Sequence, residues 1–101
     1  MANLPGEIQH LLEEIQAKDN IIQECRAVIL ARDNSLQKFI KLNGSNVKNQ
    51  KEEPYGEVIL KNFDRAQALQ EEKIALGEKA ALLVSVALLL RATTVFLHDL
   101  V

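Results

Sequence analysis

The chain has 101 residues, enough for one small domain. Its net charge of −2 comes from mixed charges, so bulk electrostatics favour neither nucleic acid nor anionic lipid as the main partner. Apolar residues make up 48% but aromatics only 4%, with no Trp, which argues against a ring-lined ligand pocket and for packing by Leu, Ile, Val and Ala.

The first predicted element is a helix over about 4–42. Ile8, Ile15, Ile22, Ile29 and Leu36 recur every seven residues, and Leu11, Cys25 and Phe39 follow members of that series by three. This is an a/d heptad pattern with isoleucine at nearly every a position; Lys18 and Arg32 take the remaining d positions. Leu12, Ile21, Val28 and Ile40 widen the stripe, so the helix should touch more than one neighbour. Asn3 offers a cap, Pro5 suits a first turn, and Glu7 favours the positive end of the dipole. Asn43-Gly44 accepts positive φ and should end the helix.

A polar linker, "NGSNVKNQKEEP", spans 43–54 and should be solvated. Its "NGS" reads as a turn, not a glycosylation site, because "MANLPGEIQHLLEEIQ" is no secretory signal. A reduced intracellular setting is expected. Cys25 is the only cysteine, so neither an intrachain disulfide nor a cysteine-rich zinc site is available.

The second predicted helix starts at about 55. Leu69, Leu76, Leu83, Leu90 and Leu97 recur every seven residues, against Ile59, Ala66, Lys73, Ala80, Ala87 and Thr94 at a. Leucine at d with small residues at a permits close approach. Gly77 should cost about 1 kcal/mol relative to Ala, and Thr93, Thr94 and Val95 should weaken the end. The expected fold is all-α: two long antiparallel helices in a coiled-coil hairpin. Helices of about 40 residues are about 60 Å long. Such a thin hairpin cannot cover stripes this wide, so a homodimer or partner helices should complete it.

No catalytic constellation is legible. Glu13-Glu14, Glu52-Glu53 and Glu71-Glu72 are neighbours in helices and point about 100° apart, as solvated faces do. Two distant histidines, His10 and His98, make a weak metal site even if a hairpin brought them together. Cys25 reads as a small core residue. No basic region precedes the leucine series, which argues against a DNA-gripping zipper. A catalytic function, a cofactor, a small-molecule ligand and direct nucleic-acid binding are not expected.

"LPGEIQHLLEEIQAKD" (4–19) resembles the N-terminal domain of the inhibitor-of-growth (ING) family of chromatin proteins, through Leu4, Pro5, Glu7, Leu11, Leu12, Ile15 and Asp19. "YGEVILKNFDRAQALQEEKIALGEKAALLV" (55–84) is similar to its second helix, through Tyr55, Ile59, Ala66, Leu69, Glu71, Glu72, Lys73, Ile74, Leu76 and Leu83-Val84. "QKFI" at 37–40 is similar to fungal members. The resemblance implies a nuclear, non-catalytic assembly subunit of a histone acetyltransferase complex, with a deacetylase complex as the alternative. The family's C-terminal PHD finger, which binds methylated histone tails, is not built by one cysteine and two histidines. After Val84 the family continues with an acidic residue and Arg-His; this chain reads "SVALLLRATTVFLHDLV". The expected organisation is therefore an ING-like helical domain over 1–84 and a divergent apolar extension over 85–101.

The helix–helix or dimer seam is assigned to Leu4, Ile8, Leu11, Ile15, Ile22, Cys25, Ile29, Leu36, Ile59, Leu69, Leu76 and Leu83, and partner contacts to Leu12, Ile21, Val28 and Phe63. Residues 80–97 also raise a membrane-anchored coiled-coil adaptor. Eighteen residues is near the lower limit for spanning, and Arg91 in their midst costs about 2.5–3.5 kcal/mol on insertion scales, so the extension is read as burying against a partner or promoting aggregation.

Overall fold

A computed structural model describes residues 6–100, with side chains through 99. It is an antiparallel helical hairpin, α1 (Gly6–Asn43) and α2 (Glu52–Leu100), forming a rod of 82 × 21 × 19 Å. The helix start assigned to Leu4 and Pro5 lies outside the described residues.

Local chemistry sets the hairpin's bend. Gly44 has φ +83, and its N–H donates to the Ile40 carbonyl at 2.8 Å. That is a left-handed helix cap, where Gly lacks the Cβ penalty. Asn43 Nδ2 donates to the Phe39 carbonyl at 3.1 Å and satisfies another terminal acceptor. Asn49 then starts α2. Its Oδ1 accepts the Lys51 N–H at 2.9 Å, and its carbonyl accepts the Glu52 N–H at 3.1 Å. This turn brings the helix start forward to Glu52 and shortens the linker expected over 43–54 to 44–51. Pro54 falls inside the first turn, where its missing N–H has no acceptor to lose.

The two inner faces follow the heptad series. Ile8, Leu11, Cys25 and Ala80 are buried, and the remaining seam positions are half-buried, as in a two-helix contact with solvent on both sides. Three charged residues sit in the seam, and each finds a partner across it. Lys18 Nζ reaches Glu72 Oε2 at 2.9 Å, and Lys73 Nζ reaches Asp19 Oδ1 at 3.0 Å. The Arg32 guanidinium lies over the Tyr55 ring, 5.0 Å from its centroid, within cation–π range. Their aliphatic stems fill the seam while the heads reach its edges. Asn62, also in the seam, turns its amide back onto the Val58 carbonyl at 2.8 Å.

The ion pairs define the register. Lys18 faces Glu72, so Gly6, twelve residues earlier, lies level with Val84, twelve residues later. Residues 85–100 of α2 therefore overhang α1, and every described side chain from Val84 to Asp99 is exposed. The overhang stays helical despite its β-branched residues. Thr93 and Thr94 bond their hydroxyls to the Leu89 and Leu90 carbonyls at 2.9 Å each.

Two glycines should respond in opposite directions. Gly77 has ordinary φ, and a Cβ there meets nothing within 4 Å, so Gly77→Ala should raise stability by about 0.5–1 kcal/mol in urea unfolding. Gly44→Ala should lower it by about 1 kcal/mol. Equal effects of the two would contradict the cap geometry. A double-mutant cycle on Asp19 and Lys73, both partly exposed, should return a coupling of about 0.5–1 kcal/mol that shrinks with salt. A coupling near zero at low salt would remove this pair as a register determinant.

Candidate protein-interaction surface

The seam residues assigned from the sequence fall on the facing sides of the helices. Ile8, Leu11 and Cys25 are buried; Ile15, Ile22, Ile29, Leu36, Ile59, Leu69, Leu76 and Leu83 are half-buried. Leu4 lies outside the described residues. For the described residues this burial arises within one two-helix hairpin, so the hairpin itself occupies part of the stripe.

The four assigned partner contacts divide between two flanks. In an antiparallel pair, positions e of both helices share one flank and positions g the other. Ile21 and Val28 take g positions and are half-buried. Leu12 and Phe63 take e positions and are exposed, Phe63 by 56%. The e flank continues onto the adjoining b positions, where Leu30, Leu60 and Ile74 are also exposed. Heptad counting restricted to a and d passes over these three. Their signal was a leucine or isoleucine one residue after an a position: Ile29-Leu30, Ile59-Leu60 and Lys73-Ile74.

This flank carries a shallow groove of about 370 Å³, lined by Ile22, Arg26, Ile29, Leu30, Phe63 and Ala66. Ala66 supplies the depth, because a small residue at a brings the backbones together and leaves room beside Phe63. Arg26 is the only charged group lining it. Open, apolar and rimmed by one cation, the groove suits the apolar face of a helix, with room for a carboxylate at the edge.

The register also separates the two histidines. His10, paired with Glu14 at 3.1 Å on its own helix, lies level with Ala80. His98 is eighteen residues further along α2, about 27 Å away. Glu13, Glu52, Glu53, Glu71 and Glu72 are exposed, and Glu14 is half-buried. The arrangement presents helix faces, not converging chemical groups.

Known proteins resemble this chain over most of its length. The profile described as inhibitor of growth proteins, N-terminal histone-binding, matches residues 1–89. The chromatin modification-related protein YNG2 of Candida albicans is 42% identical over 85 residues, covering 84% of this chain and 28% of that protein. Its namesake in Debaryomyces hansenii is 39% identical over 85 residues, with 84% and 30% covered. The chromatin modification-related protein png1 of Schizosaccharomyces pombe is 31% identical over 80 residues, with 79% and 28% covered. The chain thus spans under a third of the length of these relatives. Matched by its profile over 89 of 101 residues, the chain belongs to the inhibitor-of-growth family, through that family's N-terminal region.

Proposed function

We infer that this chain is a non-catalytic assembly module of a nuclear chromatin-modifying complex, of the histone acetyltransferase type. One structural observation carries the assembly reading: the hairpin leaves several large apolar side chains uncovered along its e flank and the adjoining b positions. Leu12, Leu30, Leu60, Phe63 and Ile74 each expose over 40% of their surface. Isolated exposed leucines are ordinary, but several in line along one flank mark a protein-interaction site. The partner that fits is an amphipathic helix with apolar residues at i, i+3, i+4 and i+7 and a carboxylate near Arg26.

The chromatin setting is supported by the relatives' names and by the histone-binding description of the matched profile. Nuclear residence follows from that setting. The acetyltransferase assignment rests on similarity to fungal members of the family. The module would tether a catalytic subunit rather than touch the reacting groups, which agrees with a surface made of helix faces.

Affinity purification of the chain from its own cells, followed by mass spectrometry, tests this reading. An acetyltransferase catalytic subunit should be recovered with it. Phe63→Glu combined with Leu30→Glu should reduce that recovery at least tenfold with unchanged helicity by circular dichroism, because both side chains point away from the seam. Recovery of a deacetylase catalytic subunit would overturn the acetyltransferase type. Undiminished recovery with the double variant would overturn the flank as the docking site.

A further inference from the structure

The residue that ends α1 stands beside a neighbour it can react with. Of the chain's asparagines only Asn43 is followed by glycine; the others precede Leu, Ile, Ser, Val, Gln or Phe. Glycine has no Cβ, so its backbone nitrogen is the least hindered nucleophile for the side-chain amide before it. Attack of the Gly44 nitrogen on Asn43 Cγ closes a five-membered succinimide. The new N–Cγ bond replaces the Cγ–Nδ2 bond, and the amide leaves as ammonia with the proton from Gly44. Water then opens the ring at one carbonyl or the other and gives aspartate or isoaspartate. The net reaction consumes one water and releases one ammonia.

The hairpin holds both reacting groups away from this step. The Gly44 N–H donates to the Ile40 carbonyl at 2.8 Å, which keeps the proton on the nitrogen. Asn43 Nδ2 donates to the Phe39 carbonyl at 3.1 Å, four residues back. That bond draws the side chain toward the helix N-terminus and away from Gly44. Both hydrogen bonds belong to the cap, and little apolar burial holds the cap shut. Asn43 and Gly44 are exposed, and from 45 to 51 every residue except Asn49 is exposed, so opening uncovers little that water would oppose.

We propose that Asn43 is a conditional deamidation site, shielded while the cap is closed and converted when the bend frays. Conversion is self-reinforcing. A carboxylate has no proton to donate to the Phe39 carbonyl, and its charge meets the negative end of the α1 dipole. Isoaspartate also inserts a methylene into the backbone one residue before the left-handed Gly44. Each product favours the open cap. The reaction therefore runs one way and loosens the bend that fixes one end of the helix pairing.

Incubation of the full chain at mildly alkaline pH, read by peptide mapping and mass spectrometry, tests this. Asn43 should convert about tenfold more slowly in the folded chain than in a peptide of residues 37–50, and unfolding urea should bring the chain to the peptide's rate. Asn46 and Asn49, in the same exposed turn but followed by Val and Gln, should lag behind Asn43 in both. The Asn43→Asp variant carries the product charge without the extra methylene. It should unfold about 4–8 °C below wild type at neutral pH, and the gap should narrow in acid as the new carboxyl protonates. Equal rates in chain and peptide, indifference to urea, faster conversion at Asn46 or Asn49, or a variant as stable as wild type would each overturn the proposal.

Discussion

The structure depends on one constraint: two helices alone can bury only a single stripe each. A residue at the centre of the seam is covered by one facing helix and by its own neighbours, and water reaches both sides. Accordingly, among the described residues only Ile8, Leu11, Cys25 and Ala80 are buried in a rod 82 Å long. At about 25 cal/mol per Å² of apolar surface, half-burial of the remaining seam yields correspondingly little. The apolar flank that stays in water is therefore a consequence of the fold. It is also the feature on which the proposed assembly role rests.

Charged residues in such a seam serve register more than stability. Partly exposed ion pairs contribute at most about 1 kcal/mol each. Their geometric effect is larger. Lys18 with Glu72 and Asp19 with Lys73 bridge the seam at one level, one pair on the g flank and the other on the e flank. A slide of one heptad would break both and leave lysines at seam positions without counter-charges. Arg32 acts similarly near the bend, where Tyr55 supplies a ring face, although its Nε is buried with no hydrogen-bond partner among the described residues.

Much of this was legible in the sequence. The seven-residue series of isoleucines and leucines located both inner faces, and Asn43-Gly44 located the bend. Three things escaped for identifiable reasons. Lys18, Arg32 and Lys73 read as interruptions of the heptads, although Lys18-Asp19 and Glu72-Lys73 carry opposite charges in mirrored order, which an antiparallel pairing would match. The outer flank escaped because its members, Leu30, Leu60 and Ile74, lie outside both a and d. The early start of α2 depends on Asn49, whose side chain and carbonyl together build the turn; polarity alone made that stretch look like linker throughout.

The length mismatch of the helices then determines where the most apolar segment ends up. The cap at Gly44 fixes one end of the pairing, and the ion pairs fix its register. With both set, the first described residue of α1, Gly6, lies level with Val84, while α2 continues to Leu100. Leu88 and Val95 in the overhang fall on the same b positions as Leu60 and Ile74 and are likewise exposed. The chain thus holds its greatest density of leucine and valine in a segment of α2 whose described side chains are all exposed.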